Sequence, residues 1–147
     1  MNLVEALSVY LNSNFVLYTK THSYHWNVTG PVFMELHKMF EDQYVNLWDN
    51  VDTIAEKIRQ LDTPIAITPQ TQLTLSIIDP QVDLTTDFGY VARLCMDHNR
   101  MIVLLNQVFD VAEESDNQAV MNYIADRLDW HHKQRWFLKA TLEQRSC

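Results

Sequence analysis

The chain has 147 residues, 47% of them hydrophobic, with only two glycines and four prolines. That is enough for one domain (residues 1–147) with a core of its own, and too few turn formers for a β-rich fold. A formal net charge of −8 argues against non-specific nucleic-acid binding, which needs clustered Lys and Arg, and suits a protein that attracts cations.

A first helix is expected over residues 2–27. It has no Lys or Arg before Lys20 and nothing like a basic n-region with a cleavage site, so no signal peptide is expected. It ends at the breaker Thr29-Gly30-Pro31. A second helix is expected over 32–61, with the apolar stripe Phe33, Leu36, Phe40, Tyr44, Leu47, Val51, Ile54, Ile58, Leu61 in steps of three or four. Residues 62–83, with two prolines and many Thr and Gln, read as a long connection whose likeliest short helix lies in 68–78. A third helix over 84–112 carries Phe88, Val91, Cys95, His98, Ile102, Leu105, Phe109 and Ala112. A fourth over 117–142 carries Val120, Ile124, Leu128, His131, Leu138 and Leu142, and the short gap before it makes the last two antiparallel neighbours.

Two helical hairpins joined by one long crossover make an all-α, ferritin-like four-helix bundle, the crossover carrying a short helix between helices two and three. No apolar run reaches the length of a membrane span. Cys95 and Cys147 suggest neither a disulfide framework nor a CxxC metal site, and Cys95, on an apolar stripe, reads as a buried thiol. The expected location is the cytoplasm.

Five metal-ligand side chains lie between 25 and 56: His25, His37, Glu41, Asp52 and Glu56. His37/Glu41 and Asp52/Glu56 are i,i+4 pairs, so each stacks on one helix face. No Pro or Gly interrupts 32–62, which places both pairs on one helix, separated by about 22 Å at 1.5 Å per residue. Either the pairs are unrelated, or a site closes across two chains. An antiparallel second copy, about a two-fold near Asn46 and Leu47, would bring Asp52 and Glu56 of one chain opposite His37 and Glu41 of the other, making two identical sites. His37, Glu41, Tyr44, Trp48, Asp52 and Glu56 share about 100° of arc beside the core stripe, which makes a Trp-centred dimer seam or simply a wide core face with charged edges. On their own, Glu41, Asp52 and Glu56 would be solvated charges and His22 a polar face. His98 and His131 lie on apolar stripes and read as core histidines, and Met39, Met96, Met101 and Met121 as packing.

Imidazole and carboxylate together suit iron, zinc or manganese, and hard oxygens with an open position suit iron that cycles between Fe(II) and Fe(III). A closed structural zinc site would use four N or S ligands. The Glu-x-x-His motif of ordinary di-iron bundles is missing from the sequence, and Asp129-x-x-His132 has the spacing but stands alone.

Residues 20–61 resemble the signature region of the Dps family (DNA-protection-during-starvation proteins, the mini-ferritins). The matching elements are His25-Trp26-Asn27-Val28, Gly30-Pro31, Phe33, Leu36-His37, Phe40, Tyr44, and Asp52-x-x-Ala55-Glu56-x-Ile58. Weaker similarity covers the rest, through His131-x-Lys133-x-x-Trp136-x-Leu138. The resemblance implies a homo-oligomeric shell, a dodecamer, that oxidises Fe(II) with hydrogen peroxide or O2 at two-fold interfaces and stores ferric iron. It implies His25, His37 and Glu41 from one subunit as catalytic metal ligands, with Asp52 and Glu56 from its partner. Many members carry Asp in place of Glu41, and the resemblance places Trp26 and Tyr24 beside the site. It also implies acidic entry pores, for which Glu113, Glu114, Asp116 and Asp126 are candidates, although Asn122 stands where Asp is common. DNA binding in the family usually relies on a basic tail, which is not seen here, so direct DNA binding is not expected. The alternatives are a DNA-associating shell with incidental metal, and a zinc or divalent-metal buffer on the same fold.

Overall fold

The computed structural model describes residues 1–84 and 87–142. Among them are five helices and no strand: α1 (Leu3–Asn27), α2 (Phe33–Arg59), α3 (Pro69–Leu75), α4 (Asp87–Glu114) and α5 (Gln118–Thr141). The expected bundle is there, with its crossover and the short helix within it. Asn2 and Glu5 close a capping box at the start of α1, and Thr68 with Thr71 does the same for α3, where Pro69 takes the first helical turn. Gly30, at φ 91, makes the turn from α1 into α2, a conformation that any Cβ would disfavour. Asp116, at φ 53, ends α4: Asn117 N–H donates to the Ala112 carbonyl and Asp116 N–H to that of Glu113. Asn117 then caps α5 by accepting from Val120 N–H.

α1 packs along α2, α4 along α5, and α1 also lies against α4 and α3. A polar ladder ties α2 to α5: Gln43 Nε2 donates to Gln134 Oε1 (3.3 Å), Arg127 Nη1 to Asn46 Oδ1 (2.7 Å) and Tyr123 Oη to Asn50 Oδ1 (2.7 Å). Rising numbers on α2 meet falling numbers on α5, so the two run antiparallel.

The stripe on α2 holds at Leu36, Phe40, Leu47, Ile54 and Ile58, all essentially fully buried. That on α4 holds at Val91, Cys95, His98, Leu105 and Ala112, but Phe88 is exposed and Ile102 and Phe109 are half-buried. Tyr90, Leu94, Met101, Leu104 and Val108 are buried instead. α4 faces both α1 and α5, so its buried arc is wider than one stripe. Met96, read as packing, is exposed. Cys95 is buried but is not a free thiol, and Cys147 lies outside the described residues. No helix among the described residues is long and apolar enough to cross a membrane.

Candidate metal centre

His25 sits in the last turn of α1 and His37 in the second turn of α2, and the tight Gly30 turn folds one back on the other. The rings stack with centroids 3.7 Å apart at 17°. His25 Nδ1 is 2.8 Å from the His37 carbonyl oxygen, and His37 Nδ1 is 2.8 Å from that of His25. A carbonyl only accepts, so both Nδ1 atoms carry the proton, and both Nε2 atoms are left with a free lone pair. The His25 carbonyl belongs to the last turn of its helix, where it has no intrahelical N–H to accept from. The same bonds that satisfy the helix end therefore fix the orientation of the two imidazoles.

Glu41 follows His37 by one turn on α2 and is half-buried. Asp52 and Glu56 lie on the same unbroken helix, exposed, and about 22 Å further along from His37 and Glu41 respectively. Thus the candidate ligands divide into two candidate half-sites, His37 and Glu41 of α2 with His25 of α1 towards one end, and Asp52 with Glu56 towards the other. Among the described residues of one chain, no group of three or more His, Cys, Asp or Glu comes together to hold a metal ion. Between the half-sites the outer face of α2 exposes Val45 and the 53%-exposed Trp48.

Around the imidazoles lies a cluster of rings. His22 stacks on Tyr44 (3.9 Å, 8°) and lies 4.0 Å from Trp26. Its Nδ1 is 3.2 Å from the Tyr18 hydroxyl. Burial, with a smaller contribution from His25, lowers the His22 pKa from its ordinary value. Trp26, which the resemblance places beside the site, is exposed and packs against His22. Tyr24 is not beside it: its ring is fully buried on the far side of α1, stacked on Tyr90 at 4.6 Å, because one residue turns the side chain by about 100° around the helix. Tyr18 takes no part in the sequence reading. Its signal is the i,i+4,i+8 run Tyr18, His22, Trp26 along one face of α1.

His98 and His131 are fully buried core residues, as read, and bond to each other through Nδ1 atoms 2.8 Å apart. Each leaves Nε2 without a partner. Asn122 is exposed and accepts a hydrogen bond from Gln118 Nε2.

A family model described as a ferritin-like domain matches residues 4–146. The chain is 35% identical over 133 residues to a DNA protection during starvation protein of Brevibacillus brevis, covering 87% of this chain and 86% of that one. It is 30% identical over 142 residues to DNA protection during starvation protein 2 of Bacillus anthracis, covering 97% of both. Its fold is similar to the crystal structure of a Dps protein from Vibrio cholerae, described as a member of a broad superfamily of ferritin-like diiron-carboxylate proteins. That match has a TM-score of 0.90 at 26% identity and covers 95% of this chain and 88% of the other.

Proposed function

The chain belongs to the ferritin-like family, among its Dps proteins, and from that footing we propose that it is a ferroxidase whose centres are each shared by two copies. Fe(II) is the substrate, hydrogen peroxide or O2 the electron acceptor, and a shell of twelve copies the store for the ferric product. His25 and His37 bind Fe(II) through Nε2, and Glu41 adds a carboxylate from the same chain. Asp52 and Glu56 of a second copy complete the set. Two nitrogens among hard oxygens bind the divalent ion and favour the trivalent one more, which draws the oxidation forward.

The observation that carries this reading is the reciprocal His25–His37 bonding. It fixes two imidazoles with Nε2 presented, while among the described residues of one chain no group of three or more His, Cys, Asp or Glu comes together. The Val45 and Trp48 patch between the half-sites supports α2 as the seam, since a large aromatic left in water is a natural interface anchor. Zinc buffering gains no support from the relatives, whose family is ferritin-like and diiron-carboxylate. Direct DNA binding is not part of the proposal, because assembly multiplies a net charge of −8 against the phosphates.

The test is Fe(II) oxidation followed by absorbance, with peroxide and then air, in the wild type and in a His37→Ala/Asp52→Ala variant, with light scattering on both. Loss of oxidation in a variant that still assembles is the expected result. Equal rates in both proteins would remove these residues from the site.

A further inference from the structure

On the α4 side of α1, away from the two imidazoles, a cavity of about 380 Å³ lies between a helical wall and a crossover wall. Lys20 of α1 with Asp97 and Arg100 of α4 belongs to the first, Asp79 and Asp83 to the second. Most of their charges pair off. Arg93 Nη2 lies 2.6 Å from Asp83 Oδ2 and joins the two walls, a pair complete in itself. The Asp97 side chain is 1% exposed and both its oxygens are taken, Oδ2 by Lys20 Nζ at 2.6 Å and Oδ1 by Arg100 Nη1 at 3.0 Å. Two cations on one carboxylate leave the helical wall with one positive charge in surplus. Asp79 leaves the crossover wall with one negative charge in surplus. Its Oδ1 accepts the Gln81 backbone N–H at 2.9 Å, and it makes no ion pair among the described residues.

The buried end of the cavity also has donors in surplus. The Lys20 side chain is only 4% exposed, yet Asp97 is the one acceptor its three N–H groups find among the described residues. An ammonium held out of water with unspent N–H groups costs free energy unless something in the cavity accepts from it. Water satisfies the N–H groups but leaves the two surplus charges unmatched. A simple anion meets the Asp79 carboxylate, and a simple cation meets Arg100. We propose that this cavity binds a zwitterion of the α-amino-acid class, its carboxylate on Lys20 and Arg100 and its ammonium on Asp79. A ligand of zero net charge matches both walls at once, and a chain of net charge −8 does not repel it. Met96, 44% exposed and lining the same cavity, offers an apolar surface to an aliphatic side chain. The site shares no residue with the proposed iron centre and does not rest on it.

Isothermal titration calorimetry of the iron-free protein as purified, with L-leucine, isocaproate and isopentylamine, tests the site. The second probe is leucine without its ammonium, and the third is leucine without its carboxylate. Leucine is expected to bind at least about ten-fold more tightly than either, the worth of one charge-assisted hydrogen bond. It is also expected to raise the thermal midpoint, which neither truncated probe does at the same concentration. Asp79→Asn should bind leucine no better than isocaproate, and Arg100→Gln no better than isopentylamine. Asp79 is exposed and the Arg100 side chain half-exposed, so helicity and assembly should be unchanged in both variants. Isocaproate bound as tightly as leucine would make the cavity an anion site and overturn the proposal. Leucine bound equally by all three proteins, or by none of them, would overturn it as well.

Discussion

At the scale of single residues, histidine does opposite work in two places. His25, buried, and His37, half-buried, give their Nδ1 protons to backbone carbonyls and leave Nε2 outside those bonds. His98 and His131 spend Nδ1 on each other in the core, with the Arg127 guanidinium close enough to oppose a further positive charge. Burial first, then Arg127, lowers the His98 pKa from 6.5 to about 3. Burial first, then His98, Arg127 and His132, lowers that of His131 well below its ordinary value. The unfolded chain therefore binds these protons before the folded one as pH falls. The stability these groups contribute is full above the ordinary histidine range and is lost as pH falls below it, towards about 3 for His98. Thermal unfolding between pH 7.5 and 5 should show a falling midpoint. A His98→Leu/His131→Leu variant should flatten that slope while keeping the midpoint at pH 7.5 within a few degrees. A slope unchanged by the double variant would place the acid sensitivity elsewhere.

At the scale of elements, α1 and α4 are joined through a buried ion pair. Lys20 Nζ lies 2.6 Å from Asp97 Oδ2, with both side chains almost wholly out of water, and the half-exposed Arg100 reaches the other carboxylate oxygen at 3.0 Å. Removing one partner of such a pair strands the other charge. Lys20→Met should cost about 3 kcal/mol, the low end for a buried pair, because Arg100 remains on Asp97. The double change Lys20→Met/Asp97→Leu should cost less than the single one, and urea unfolding of the three proteins decides it. A double variant less stable than Lys20→Met would show that Asp97 is not stranded without Lys20 but held by Arg100. Nothing in the sequence marks Lys20 as buried, since its partner lies 77 positions away and only packing brings them together. What is local was legible: the Gly30-Pro31 break, the Thr68-Pro69 start of α3, the unbroken α2 with its two ligand pairs. What depends on neighbours was not. The arc that α4 buries is set by α1 and α5 together, and Tyr24 turns inward because Tyr90 is there to receive it. The five candidate ligands could be read from spacing and resemblance. The carbonyl acceptors that orient two of them could not, because they exist only once the turn at Gly30 has closed.

At the scale of the whole molecule, the proposed centre would make assembly a condition of activity, because its candidate ligands on α2 lie towards the two ends of one helix. The candidate ligand pairs stand about equally far on either side of Asn46 and Leu47, so an antiparallel pair of α2 helices would complete both proposed centres at once or neither. This has a consequence that a site within one chain could not have. Chains carrying His37→Ala and chains carrying Asp52→Ala should each assemble and each be inactive. In a mixed pair, one centre collects both lesions, and the other joins the intact His37 of one chain to the intact Asp52 of its partner. Random co-assembly makes half of all pairs mixed, so about a quarter of the centres should be restored. Unfolding the two variants together, refolding them as a mixture and following Fe(II) oxidation with peroxide should recover about that fraction of the wild-type rate. Simple mixing of preassembled shells should recover none. A refolded mixture as inactive as its parents, at normal shell size, would mean that the centre does not draw its ligands from two chains in this way, and the pairing of α2 about Asn46 and Leu47 would have to be abandoned.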